Sequence, residues 1–251
     1  MLQDRRGVSE TIGFVLVFSL IVLTVGVVLT AGYGGLQDAR DAERVNNAER
    51  AFDVFADNVE DITHHGAPSR GTEIRLAEAT ISSGPPTYLN VSGFNASGTN
   101  RFTTGNYSID PVVYRAEDTR VRYSAGAVTR IQTDGAGMVE PPEFVLSQDH
   151  VIVPIIQLSV EEGAVSGSKT VLVRTERNIR RDVVDDSGTV DTLRLNISTP
   201  APDPWEQYLE RQGMNCTRLG AGGGERAKLT CTKPDVERVR VVWYQIRVSF
   251  S

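Results

Sequence analysis

The chain has 251 residues, and its 32 acidic and 26 basic side chains give a formal net charge of −6 at pH 7. This acidic balance argues against a nucleic-acid partner, because nucleic-acid binding needs a basic surface. The length is enough for one sizeable domain, or two small ones, beside a membrane anchor.

An uncharged run covers residues 11–37 and follows two arginines closely. Its apolar centre, Ile12 to Ala31, would be about 30 Å long as a helix, which matches the hydrocarbon core of a lipid bilayer. We therefore predict a transmembrane helix over residues 8–35. Because the flank before the run is basic and the flank after it is acidic, the N-terminus is expected in the cytoplasm and the C-terminal domain outside the cell.

The start of this run carries the most specific motif, RRGVSETIGF. It resembles the class III signal peptide of type IV pilins, archaellins and related archaeal surface proteins. In that family a membrane peptidase cuts before the apolar helix, so the helix stays in the mature protein. Carried over by position, the resemblance implies a leader of residues 1–7 that is cut between Gly7 and Val8. Arg5 and Arg6 would precede the cut, and Glu10 would become the third mature residue.

One position departs from this resemblance. Many haloarchaeal pilins carry proline where this chain has Glu10, so the chain is either a filament subunit or a protein that shares only the export route. An uncut single-pass anchor is the alternative to both. The basic residues include only three lysines, and this preference for arginine with surplus acid resembles haloarchaeal proteins.

An amphipathic helix is predicted next, over residues 36–66. Its apolar side chains recur at steps of three and four, at Val45, Ala48, Phe52, Phe55, Val59 and Ile62. The helix should end near His65, where Gly66 offers a left-handed cap and Pro68 bars continuation. The apolar stripe is expected to pack on the chain's own head, the alternative being an intermolecular coiled coil.

Short alternating segments rich in β-branched residues follow over residues 67–199, which predicts a β-rich head built as a sandwich or meander. Within it, Ala125 and Gly126 form the turn of a hairpin, and Pro154 marks an edge strand or a bulge. Residues 200–251 should add a short helix at PWEQYLERQG, a terminal hairpin and a long central strand. The predicted fold class is α+β.

The two cysteines, Cys216 and Cys231, are symmetric about a glycine-rich centre. In a hairpin folded about that centre they face each other, so in an exported domain they are expected to form a disulfide. The alternative is a pair of buried thiols, because spacing alone does not establish bridge geometry.

No catalytic, cofactor or metal site is predicted. His64 and His65 point to different faces of a helix, and the glycine-rich stretch at 220–224 lacks the lysine of a phosphate loop. Asp185, Asp186 and Asp191 could bind calcium through oxygen ligands, although turns before strands favour the same residues.

Glycan acceptors are the remaining candidates. N-x-S/T sequons occur at Asn90, Asn95, Asn106, Asn196 and Asn215, and glycans must lie on the surface. Together these features indicate a non-catalytic, type IV pilin-like surface protein, a structural or adhesive filament subunit. Its partners would be the lipid bilayer, the leader peptidase and other pilin-like subunits. The alternative is a monomeric single-pass receptor or binding module that does not polymerise.

Overall fold

The computed structural model describes residues 5–161, 163–186, 188–220 and 226–251, with side chains from residue 12 onward except at 38. The described residues form helices α1 (Arg5–Thr63) and α2 (Pro202–Arg211). They also form seventeen strands: β1 (Ser69–Arg75), β2 (Ala79–Ser82), β3 (Thr87–Phe94), β4 (Asn100–Thr103), β5 (Tyr107–Ile109), β6 (Val112–Ala116), β7 (Thr119–Ser124), β8 (Ala127–Gln132), β9 (Gly135–Glu140), β10 (Val145–Leu146), β11 (Val151–Val160), β12 (Ala164–Gly167), β13 (Thr170–Asp186), β14 (Val190–Thr199), β15 (Asn215–Leu219), β16 (Ala227–Val236) and β17 (Val239–Phe250).

The predicted long N-terminal helix is confirmed as α1. It contributes to two compact units, Met1–Asn46 and Asn47–Ser251, the second of which we call the head. In the first unit every side chain described between Ile12 and Leu36 is exposed. The helix ends at Thr63, two residues before the predicted His65, because Gly66 takes the left-handed conformation at φ +77° and the amide of Ala67 binds the Asp61 carbonyl.

The strands of the described residues form three sheets, which make up the β-rich head. The central sheet has the strand order β1-β13-β17-β11-β10, and its β11–β17 pair is parallel. A second sheet, β12-β2-β6-β7-β8-β9, is called the helix-side sheet, and the third, β15-β16-β14-β3-β4, the disulfide-side sheet. The predicted α+β class is therefore confirmed.

Strand β17 shows how these layers stack, because neighbouring side chains of a strand point to opposite faces. Its residues Val242, Tyr244 and Ile246 join one hydrophobic cluster, together with the α1 stripe and the helix-side sheet. Its residues Val239 and Val241 join a second cluster, together with α2 and the disulfide-side sheet. We call these clusters the helix-side core and the disulfide-side core. The central sheet lies between them, which is why β17 is apolar on both faces.

The predicted turn features are also present. Strands β7 and β8 form a hairpin whose turn residues Ala125 and Gly126 have φ of +56° and +84°, the backbone of a tight two-residue turn. Pro154 lies where β10 no longer covers β11, since β10 pairs only with Val151 and Ile152. The missing amide of Pro154 therefore removes no hydrogen bond from β10.

Strand β13 is longer than the sequence predicts. The alternating segment KTVLVRTE accounts for its first half, but the strand continues to Asp186. Register shifts between Arg177 and Ile179, and between Asp182 and Val184, interrupt the alternation. Each shift is a bulge that leaves one residue without a partner, so the period of two is lost although pairing with β17 continues.

Candidate functional site

The first half of α1 is long and apolar enough to cross a membrane. Thr24 and Thr30 do not oppose this, because each hydroxyl donates to a carbonyl one turn back, that of Leu20 or of Gly26. Such bonds satisfy polar groups that lipid cannot hydrogen-bond. This half of the helix is a candidate membrane anchor.

The predicted processing motif lies at the start of the same helix. Arg5, Arg6, Gly7, Val8 and Glu10 all belong to α1, whose backbone is helical from Arg5. Their side chains, and residues 1–4 of the predicted leader, lie outside the described part of the chain. The predicted cut between Gly7 and Val8 stays a prediction.

The predicted disulfide is confirmed. Cys216 of β15 faces Cys231 of β16, and the two are bonded. Cys231 is fully buried in the disulfide-side core, so the bridge joins the exposed edge strand to that core. The tip of the hairpin, residues 221–225, lies outside the described residues.

Two of the five sequon asparagines are held in hydrogen bonds across the disulfide-side sheet. Asn90 of β3 pairs with Asn196 of β14, and both are half-buried. The Asn196 amide donates to Asn90 Oδ1 at 3.3 Å, while the Asn90 amide donates to the Thr104 carbonyl at 2.7 Å. Because a glycan replaces one of the two hydrogens on the amide nitrogen, glycosylation of either residue would attach a bulky sugar to a nitrogen that already donates within the sheet.

The other three sequon asparagines keep their amide nitrogens available. Asn106 and Asn215 are exposed. Asn95 uses only its oxygen, which accepts hydrogen bonds from the Ser97 hydroxyl and the Thr99 amide. The structure thus separates the sequons into two classes that their sequences do not distinguish.

A depression in the surface brings together residues from both classes. Asn90, Asn106 and Asn196 line it together with Arg226 and Lys228. The Arg226 guanidinium lies 4.9 Å from the centre of the Tyr88 ring, which also lines the depression. A glycan on Asn106 would therefore stand at the rim of this basic surface.

A cluster of one histidine and two glutamates lies at the C-terminal end of α1. His64 Nδ1 is 2.9 Å from Glu143 Oε2 and 3.7 Å from Glu60 Oε1. Burial raises the pKa of Glu143 to about 7, and hydrogen bonding and charge repulsion from Glu60 add to the effect. Burial also raises the pKa of Glu140, with repulsion from nearby acids as the second cause. Acidic side chains are thus concentrated at the end of α1, and their mutual repulsion favours the protonated form of Glu143 and Glu140.

The neighbouring His65 contacts a different carboxylate, although its charge also acts on Glu143, where it opposes the rise in pKa. Its Nδ1 lies 3.1 Å from Asp61 Oδ1, and Arg70 Nε donates to the other oxygen of Asp61 at 2.9 Å. Hydrogen bonds from Arg70 and then His65 lower the pKa of Asp61. The two histidines therefore contact different carboxylates, in agreement with the prediction that they point in different directions.

Sequence reasoning missed Glu143 as a neighbour of His64. Glu143 lies in the loop between β9 and β10, 79 residues further along the chain, and no local pattern links the two. The aspartates considered for calcium do not converge on an empty site in the described residues, because Asp186 binds Arg101 at 2.8 Å and accepts the amide of Gly188.

Residues 6–249 match a family described as "Family of unknown function (DUF7289)", and since the match covers nearly the whole chain, the chain belongs to it. No curated protein and no solved structure matches the chain.

Proposed function

We propose that this member of the DUF7289 family is a membrane-anchored, type IV pilin-like surface protein with a structural or adhesive role. The observation that carries the proposal is the change of environment along α1. Its apolar first half is exposed over its whole length, whereas Phe52, Phe55, Val59 and Ile62 in its second half are fully buried in the head. Such a helix suits an element that is held in lipid or between subunits at one end and in a folded domain at the other.

The chemistry of the N-terminus supports the same proposal. Two arginines precede the apolar helix and an acid-rich segment follows it, which favours a cytoplasmic N-terminus and an extracellular head. The disulfide fits this orientation, because disulfides persist outside the reducing cytoplasm. Removal of residues 1–7 by a leader peptidase would leave the apolar helix intact for lateral packing with other subunits.

The deciding experiment is mass spectrometry of the N-terminus, carried out on isolated membranes and on filaments sheared from the cell surface. We expect a mature chain that begins at Val8 and is present in the filament fraction. A chain that begins at Met1 or Leu2 and stays in the membrane fraction would instead identify a single-pass receptor or binding module.

A further inference from the structure

We propose that Glu60, His64 and Glu143 bind a divalent transition-metal ion of the zinc class, which ties the last turn of α1 to the loop between β9 and β10. These side chains bring one imidazole nitrogen and two carboxylate oxygens within 4.8 Å of one another. Zinc accepts both kinds of ligand. The inference concerns the head alone and does not depend on the proposed function.

The distances suit a shared ion. Ligand atoms that each lie about 2.1 Å from a tetrahedral zinc are about 3.4 Å apart. The separations from His64 Nδ1, 2.9 Å to Glu143 and 3.7 Å to Glu60, lie on either side of that value. Small rotations of the side chains would therefore place all three atoms around one ion, with a fourth position left for water.

Both elements that carry the ligands are held in place. Glu60 lies in the last turn of α1, and His64 directly follows the helix, where its backbone amide donates to the Glu60 carbonyl at 2.7 Å. The loop that carries Glu143 is fixed on its other side, where the hydroxyl of Tyr208 on α2 donates to the Pro142 carbonyl at 2.9 Å. The Phe144 amide binds the same carbonyl at 2.8 Å. The ligands thus come from two ordered segments.

Tyr123 lies beside the cluster. It lines the same cavity as Glu60 and Glu143 and is 1 % exposed. The phenol is close enough to Glu143 for that carboxylate's charge to act on it. A metal-bound water in this cavity would have the phenol as a neighbour.

Charges of both signs surround the cluster. Asp57 and Glu140 line the cavity with Glu60 and Glu143, and their charge attracts a cation. Three arginines line the adjoining depression with His64 and Glu143. Arg177 donates to the Ile62 carbonyl at 3.3 Å, and Arg180 and Arg240 are paired with Asp182 at 3.5 and 2.8 Å. Calcium and magnesium prefer oxygen ligands, whereas imidazole suits zinc and its neighbours. The histidine therefore selects the metal class.

The test measures zinc binding by the full chain in detergent micelles after treatment with a chelator. Isothermal titration should show one Zn²⁺ per chain, and Co²⁺ in its place should give visible absorption bands. His64→Gln and Glu143→Gln should each weaken Zn²⁺ binding at least tenfold. The matched control is His65→Gln, which removes the adjacent imidazole and should bind like the parent chain.

Three results would overturn the proposal. The first is no saturable Zn²⁺ binding by the parent chain, which would leave the cluster as an ion pair only. The second is equal affinity in His64→Gln and His65→Gln. The third is Ca²⁺ binding as tight as Zn²⁺ binding, which would reveal a general acidic surface. Circular dichroism of each variant identifies loss of fold, and Glu143→Gln tests the site from the loop if His64→Gln does not fold.

Discussion

Replacement of Phe55 by alanine tests whether the α1 stripe is part of the head. Phe55 has no exposed surface, and its ring meets the edge of Tyr123 at 5.1 Å between centroids. The Phe52 ring lies 6.2 Å away on the same stripe. Removal of a fully buried phenylalanine ring leaves a cavity that the neighbours fill only in part, which lowers the free energy of unfolding by about 3–5 kcal/mol. Since strands of two sheets surround the site, we expect the upper half of that range.

Val54 provides the matched control, because it is the preceding residue of the same helix and is 52 % exposed. Val54→Ala should change the free energy of unfolding by less than about 0.5 kcal/mol. The assay is urea unfolding of the full chain in detergent micelles, followed by the fluorescence of Trp205 and Trp243. Both tryptophans contact the disulfide-side core, so they also report whether damage in one core unfolds the other.

Equal unfolding midpoints for Phe55→Ala and Val54→Ala would refute the reasoning. The stripe would then contribute nothing to the head. A third outcome is that the parent chain is more stable than Phe55→Ala at high protein concentration but not after dilution. The stripe would then be an interface between chains, as in the coiled-coil alternative.

Three further predictions concern processing, the disulfide and the glycans. Gly7→Trp should leave the leader attached, because the peptidase must accommodate a small residue at the cut; N-terminal mass spectrometry should then find residues 1–7 still present. Replacing Cys216 and Cys231 by serine should lower the free energy of unfolding by about 3 kcal/mol, since the bridge spans 15 residues; native chains whose thiols react with a label before reduction would contradict the bridge. Glycopeptide mapping should find glycans on the three sequons whose amides are available, Asn95, Asn106 and Asn215. It should find none on the hydrogen-bonded pair, Asn90 and Asn196.

Features set by local chemistry could be predicted from the sequence. The apolar steps of three and four identified the buried face of α1, and Gly66 identified its end within a few residues. The symmetry of the cysteines about a glycine-rich centre gave the pairing of β15 with β16. In each case the interacting residues are close in sequence, so a periodic pattern or a turn signal carries the information.

Features set by distant pairing could not be predicted. Strand β11 lies parallel to β17 although Val151 and Val239 are 88 residues apart, and nothing local specifies that partner. The bulges of β13 interrupt the alternation of side chains, so the sequence pattern does not reveal that the strand is long. The sequons show the same limit, because whether an asparagine amide is available depends on the strand that lies beside it. The metal site needed both the end of α1 and a loop far along the chain.

The loop between β9 and β10 contacts both hydrophobic cores of the head. Its Phe144 packs in the disulfide-side core, where the ring lies 6.1 Å from Trp205 and 6.3 Å from Tyr208. One residue earlier, Glu143 reaches His64 at the end of the helix whose stripe fills the helix-side core. The loop therefore joins the two cores by a route that does not pass through the central sheet. A metal at His64 would strengthen this second connection, whereas the disulfide joins the edge strand β15 to the disulfide-side core. Removing the metal and reducing the disulfide should consequently loosen different parts of the head.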